Sequence, residues 1–243
     1  MTTDVPRADE TDDRRETWIV TNDDGIDAPG LVALRDALGG RVRPVVVAPA
    51  SARSECGHAV TTSRALRVDG RGGGVYAVDG TPVDCVRLGL HHLASEARWV
   101  VSGINAGGNL GTDVFHSGTV SAVREAAIRG LPGAAFSLIM DRRGTPDWRR
   151  ASGWCREVLN DLLPRPLPRG SFWNVNFPYL DKPLRDPEIV YCNIDTSPLP
   201  LAYRLEGADA WYSGVYRERE RRAGGDIEVC LGGRIAVSRI DLP

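Results

Sequence analysis

An α/β fold on a mostly parallel sheet is what this sequence predicts, and three observations predict it. Short β-branched and aromatic runs alternate with segments of helical periodicity from Thr17 onward, and parallel strands need a crossover of this kind between them. Glycine and proline punctuate the segment ends, as at Gly39, Gly130 and Pro132. At 243 residues the chain is long enough to bury a full core, and α/β architectures of this length commonly run as one domain.

The first ordered element expected is the strand Thr17-Trp18-Ile19-Val20-Thr21, ending in the polar Asn22-Asp23-Asp24-Gly25. A helix follows from Ala28 to Leu38, with Asp27 as N-cap, Pro29 in its first turn, Leu31, Leu34 and Leu38 at helical spacing, and Gly39 as the stop. Val45 to Ala48 reads as a buried strand. A helix from Val83 to Leu90, opened by Thr81-Pro82 with a Thr81/Asp84 capping pair, precedes the strand Trp99-Val100-Val101. Thr119 to Arg129 is the next helix; Gly130 closes it, Pro132 prevents its continuation, and Ala134 to Leu138 is the strand after it. An Asp147-capped helix spans Trp148 to Leu163, a proline-rich break runs from Pro164 to Pro168, and Phe172 to Asn176 supplies one more strand. Beyond Pro178 the periodicity weakens. From 179 to 233 prolines, charges and aromatics mix, and the charge run Arg217 to Arg222 reads as a solvated face. No internal repeat is visible.

Composition removes several function classes. Lys plus Arg total 30 against 32 Asp plus Glu, a formal net charge of -2, so no global positive field gathers nucleic-acid polymers. The five cysteines (Cys56, Cys85, Cys155, Cys192, Cys230) include no Cys-x-x-Cys pair, which suits a reducing, cytoplasmic setting rather than a disulfide framework or a zinc knuckle. Met1 to Glu16 is polar and acid-rich, lacks the apolar stretch of a secretory signal, and is expected as a disordered tail. No apolar run approaches the length that crosses a bilayer, so no membrane partner is expected.

In wound parallel sheets, ligands sit outside the carboxyl ends of the strands, which directs attention to Asn22 to Asp27, Pro49 to His58 and Ser102 to Thr119. Adjacent Asp23 and Asp24 repel each other unless a cation sits with them, and oxygen ligands imply a hard cation. Asp-Gly is also a common turn signal, and from the dipeptide alone a turn is the plainer reading. The helix that follows argues instead for a βα connection with its acids on the ligand side. The third loop, Ser102-Gly103-Ile104-Asn105-Ala106-Gly107-Gly108-Asn109-Leu110-Gly111-Thr112-Asp113 and on to Ser117-Gly118-Thr119, bares backbone amides ahead of a helix. With the Ser117 and Thr119 hydroxyls these form a cradle for a phosphate. It lacks the Lys of a triphosphate P-loop and the dinucleotide Gly-x-Gly-x-x-Gly with its ribose acid. A phosphate monoester fits the smaller cradle.

Several of these segments in order resemble the SurE survival-protein family of 5'/3'-nucleotidases. The likeness covers Trp18 to Leu31, Val46 to His58, Val78 to Leu90, Ser102 to Leu138, Asn174-Val175-Asn176-Phe177-Pro178 and, more loosely, Asp226 to Leu242. The resemblance implies a Rossmann-like three-layer sandwich with a mostly parallel sheet and an irregular C-terminal extension, here 179 to 243, often exchanged between subunits of a homodimer or homotetramer. It implies divalent-metal-dependent hydrolysis of nucleoside 5'- or 3'-monophosphates to nucleoside and phosphate. By the same likeness one cation per subunit, Mg or Mn, falls to Asp23, Asp24, Ser54 (behind Arg53) and Asn105, while Asn109, Ser117 and Thr119 line the phosphate.

Departures from the family pattern are Ala50 where an Asp is usual, His116 where Tyr commonly precedes Ser-Gly-Thr, and Arg239-Ile240 in place of Thr-Pro. A titratable His116 beside the phosphate could donate a proton to the leaving oxygen; the plainer reading is a hydrogen-bonding wall residue standing in for Tyr. His58, His91 and His92 have no ligand-pair spacing and read as structural or surface residues. Cys56 has no basic partner in sequence that marks a nucleophile, and packing is the better reading. Other possibilities stay open: a related phosphatase with a different small ester, Asp23 as a covalent phospho-acceptor, and a non-catalytic nucleotide-binding module. Adjacent rather than alternating acids disfavour the second, and retention of all four presumed ligands disfavours the third.

Overall fold

From β1 (Thr17–Thr21) the chain passes through α1 (Pro29–Leu38) to β2 (Arg43–Pro49), adds β3 (Val68–Gly70) and β4 (Val75–Val78), and returns by α2 (Pro82–Leu88) to β5 (Trp99–Ala106) on the other side of β1. It continues through α3 (Gly118–Ile128), β6 (Gly133–Leu138), α4 (Trp148–Leu162) and β7 (Ser171–Phe177). β8 (Ile189–Tyr191), the hairpin β9 (Tyr203–Glu206) and β10 (Asp209–Tyr212), α5 (Asp226–Leu231) and β11 (Ile235–Asp241) follow. The computed structural model of the protein describes residues 15–54, 56–140, 145–180 and 185–242.

One nine-stranded sheet results, in the order β3-β4-β2-β1-β5-β6-β7-β11-β8. Its neighbours run parallel except β3 with β4 and β11 with β7. Alternation along each strand divides the core into two layers. Trp18 and Val20 face α1 and α4, where they meet Leu34, Val158 and Leu159. Ile19, Val45 and Val47 face α2 and α3, where they meet Val86, Val120 and Val123. Full burial of side chains such as Leu34, Leu159 and Phe136 contributes roughly 1.5 to 3 kcal/mol each relative to exposure.

Several expected boundaries shift for physical reasons. Asp27 does not cap α1: Ala28 holds the cap position, and Asp27 lies on the surface, paired with Arg71 at 2.6 Å. Pro29 lacks an amide to satisfy and has a φ already suited to the first turn, so a side-chain cap is dispensable. The Thr81/Asp84 pair is a reciprocal capping box at 3.1 and 3.0 Å, but α2 ends at Leu88 and widens into a π-helical turn over Gly89–Leu93. β5 runs on to Ala106, with a register shift between Ser102 and Asn105, so the start of the expected third loop belongs to a strand. Arg15 and Glu16, the described end of the expected tail, are bonded to Gly40 and Arg43 at 2.8 Å each; the rest of that tail lies outside the described residues. Beyond Pro178, β8, α5 and β11 supply regular structure that the weak periodicity concealed. Among the described residues no helix is long and apolar enough to cross a membrane.

Candidate functional site

The strand order reverses at β1, because the chain leaves it toward β2 on one side and comes back to β5 on the other. Loops diverge at such a point and open a crevice at the carboxyl ends of the strands. Asp23 and Asp24 follow β1 into that crevice, and Asn105 reaches it near the end of β5, where the register shift re-aims the side chain.

Asp23 is enclosed, with 7% of its surface exposed, and its Oδ1 accepts a hydrogen bond from the Thr119 hydroxyl at 2.5 Å. The first turn of α3 closes directly on it. A Cβ at Gly118 would stand 2.8 Å from Asp23 Cβ and Oδ2, so the approach of helix to carboxylate requires glycine there. Burial raises the Asp23 pKa to about 6 against the Thr119 hydrogen bond, and the neighbouring Asp24 charge adds to the rise. Burial also pushes Asp24 up, while the hydrogen bond its Oδ2 accepts from the Ala106 amide, at 3.3 Å, works the other way. Among the described residues neither carboxylate has a basic partner.

The second loop is fastened to the first. The Arg53 amide donates to the Asp23 carbonyl at 2.7 Å, and Ile26 to Pro49 at 2.8 Å. The Arg53 guanidinium is held by Asp79 at 2.7 Å. Ser54 comes immediately after and is exposed. Asn105 donates its Nδ2 to the Gly107 carbonyl at 2.8 Å, which leaves its Oδ1 for a cation. Two carboxylates, a hydroxyl and an amide oxygen would make a hard, all-oxygen donor set of the kind that suits a divalent cation. Among the described residues no group of three or more His, Cys, Asp or Glu gathers to offer another kind of metal site. A buried and a half-buried acid side by side, with no basic partner among the described residues, fit a divalent cation on charge as well.

The remaining predicted residues divide into two sets. Ser117 caps α3, its Oγ accepting from the Val120 amide at 3.1 Å, so Ser117, Gly118 and Thr119 sit beside Asp23. His116 is exposed next to them and its ring has no hydrogen-bond partner among the described residues. Asn109 is turned inward: its Nδ2 donates to Ser137 Oγ at 2.8 Å and its amide to Asn176 Oδ1 at 2.8 Å. Its carbonyl accepts from Asn174 and Asn176 at 2.8 and 3.0 Å. In this position Asn109 ties the glycine-rich loop to β6 and β7, and the two asparagines of β7 gain a reason that sequence reasoning missed.

The charge run 217 to 222 is a solvated face, as expected, except at one position. Arg219 is buried, donating to Asp113 Oδ2 at 2.8 Å and to the Ser197 carbonyl at 3.3 Å. The Tyr216 hydroxyl donates to the same Asp113 oxygen at 2.7 Å. Asp113 lies in the short 3-10 turn Gly111–Phe115, and its carbonyl accepts from the Ser117 amide at 3.0 Å. Asp226 reinforces this turn by accepting from the Gly111 amide at 2.7 Å. His58 is structural, its Nε2 lying 3.1 Å from buried Glu125, which also accepts from Arg87 and Arg129 at 3.1 and 2.9 Å. Burial raises the Cys56 thiol, which disfavours a nucleophile.

Residues 18–197 match the profile of the family described as survival protein SurE. A putative 5'-nucleotidase of Nostoc sp. is 48% identical over 224 residues, 92% of this chain and 99% of the relative. A 5'-nucleotidase SurE of Geobacter sulfurreducens is 50% identical over 163 residues, 67% of this chain and 62% of its own. Among solved structures, the SurE protein from Aquifex aeolicus is similar with a TM-score of 0.80 at 30% identity, over 93% of this chain and 94% of that one.

Proposed function

Since the chain belongs to the survival protein SurE family, we propose that it is a divalent-metal-dependent phosphomonoesterase that hydrolyses nucleoside 5'- or 3'-monophosphates to nucleoside and phosphate. The observation that carries this reading is the adjacent pair Asp23 and Asp24, buried and half-buried with no basic partner among the described residues, Asp23 against the first turn of α3. Asp23, Asp24, Ser54 and Asn105 would hold one cation per subunit, Mg or Mn. When bound, such a cation supplies positive charge to the phosphoryl oxygens and acidifies the attacking water.

This chain's own residues position the ester. The amides at the start of α3 and its positive end bind the phosphate oxygens, and the Ser117 cap fixes that turn. Thr119 orients Asp23 through its hydroxyl. Asn109 holds the glycine-rich loop from behind, and His116 forms part of the rim. Water oxygen bonds to phosphorus as the bond to the ester oxygen breaks; Asp23 or Asp24 accepts a proton of the water, and the released ester oxygen takes up a proton from solvent to give the nucleoside hydroxyl. A covalent role for Asp23 is less favoured, because the carboxylate is enclosed and one oxygen is engaged by Thr119.

The exposed hairpin of β9 and β10, with Tyr203, Leu205, Trp211 and Tyr212 on its surface, supports the extension as an arm between subunits of a homodimer or homotetramer. Five free cysteines support a reducing, cytoplasmic setting. Phosphate release measured across nucleoside monophosphates, sugar phosphates and polyphosphate, with Mg or Mn and with chelator, tests the assignment. Nucleotides should be hydrolysed only with metal, and Asp24→Ala should abolish that activity; near-normal activity of this variant refutes the site. Trapping of a phosphoenzyme would revive the covalent route.

A further inference from the structure

Beside the site just described, the glycine-rich loop forms one wall of a hollow of about 500 Å³. Gly107, Gly108, Ile139, Met140, Val215, Tyr216 and, as its one charged member, Arg217 line it. It adjoins the presumed metal ligands directly. The Gly107 carbonyl accepts from Asn105 Nδ2, and the preceding Ala106 amide donates to Asp24. An ester whose phosphate sits over Asp24 and Asn105 therefore has this hollow next to it for the group on its far side.

The wall opposite the loop is held rigidly. Tyr216 is fixed at its hydroxyl by Asp113, and the Arg219 guanidinium stands 5.2 Å from the centroid of its ring. Burial and the Asp113 charge push the phenol well above its ordinary pKa, so it stays a proton donor. Loop and ring approach closely: a Cβ at Gly108 would lie 2.2 Å from Ile139 Cδ1 and 3.0 Å from the Tyr216 hydroxyl. The outcome is a pinned aromatic ring flanked by Ile139, Met140 and Val215, in a hollow within the range of roughly 300 to 1,000 Å³ typical of small-molecule sites. A flat heterocycle suits such walls, because every base presents a π-face to an aromatic ring whatever its polar edge.

We propose that this hollow is the subsite for the nucleoside part of the substrate, with Tyr216 as its aromatic platform and Arg219 as the positioning residue that holds the platform. The inference rests on the nucleotidase reading above and adds to it the residues that select the leaving group. Arg219 makes the platform possible from the far side, through Asp113, without reaching the hollow itself.

The test compares the full-length chain with Tyr216→Ala and Tyr216→Phe, measuring KM and kcat with Mn for a nucleoside monophosphate and for glycerol 2-phosphate. Loss of one base-stacking contact should raise KM for the nucleotide about tenfold in Tyr216→Ala, with kcat and all glycerol 2-phosphate constants unchanged within about twofold. Tyr216→Phe, which keeps the ring, should hold the nucleotide KM within about threefold. Unphosphorylated nucleoside should inhibit the wild type competitively, and Tyr216→Ala about tenfold more weakly. Equal losses on both esters, or no change for the nucleotide, overturn the subsite while leaving the nucleotidase reading intact. A wild type that hydrolyses glycerol 2-phosphate but no nucleotide overturns both.

Discussion

Replacing Arg219 with Met keeps most of the aliphatic volume and removes one charge from a buried pair. In the native fold the Arg219 side chain is 0% exposed and that of Asp113 6%. Breaking a pair this deep by deleting one partner costs about 3 to 5 kcal/mol, because the other charge stays desolvated. Asp113 retains the Tyr216 hydroxyl at 2.7 Å and the Leu110 amide at 3.2 Å, which places the expected loss near the lower end, about 3 kcal/mol. For a chain of this length that corresponds to a fall in Tm of about 6 to 12 °C. Urea unfolding of the full chain measures it, and a double variant with Asp113→Asn, which removes the stranded charge, should recover part of the loss through a coupling of roughly 1 to 3 kcal/mol. Because the Asp113 carbonyl anchors the Ser117 amide, kcat should fall as well. A loss under about 1 kcal/mol together with wild-type kinetics would mean that the pair behaves as an exposed one, and the reasoning fails.

Two further outcomes follow from the same geometry. His116→Tyr should leave the pH-rate profile unchanged, since the exposed ring makes no hydrogen bond among the described residues; disappearance of a basic limb on this change would instead identify His116 as the proton donor to the leaving oxygen. At Glu125, burial opposes the charge, yet hydrogen bonds from His58 and Arg129 and the charges of Arg129 and Arg87 hold the carboxyl below its usual pKa. A depressed folded pKa gives stability that is full above the unfolded value of about 4.3 and lost as pH falls through the folded one. The stability gap between wild type and Glu125→Gln should therefore shrink as pH falls below about 4; a gap that widens from about pH 4 downward contradicts the assignment.

What the sequence made legible was local. Periodicity located β1, α1, β2, α2, α3, β6, α4 and β7 to within a few residues, and the Thr81/Asp84 box was readable because both halves lie within one helical turn. Asp27 misled because Pro29 opens the helix at its first position, which puts the cap at Ala28 and leaves no need for a side-chain bond there. β3 and β4 went unread because one is three residues and the other four, too short for a period-2 pattern to emerge. Asp23 and Asp24 stood out by adjacency. Arg219 could not stand out, since its partner is 106 positions away, and within its own window it is one charge among several.

The division of labour in the chain follows from where its restraints originate. Every presumed metal and phosphate group lies between Asp23 and Thr119, yet the groups that hold the glycine-rich loop in shape are Asn174, Asn176, Arg219 and Asp226. β11 is part of the same device: it pairs with β7 along Ala236 to Asp241 and so supports the strand that carries the two asparagines. Within the extension, Val215 and Tyr216 face the hollow while Arg219, three residues on from Tyr216, is buried behind it. With the nucleoside subsite placed there, a change of leaving group can be made in this short segment, beside the presumed metal ligands but not among them, while the ion pair beneath keeps the glycine-rich loop in register. The residues presumed to act on the phosphate and the segment that lines the hollow are joined physically through two buried carboxylates, Asp113 and Asp226.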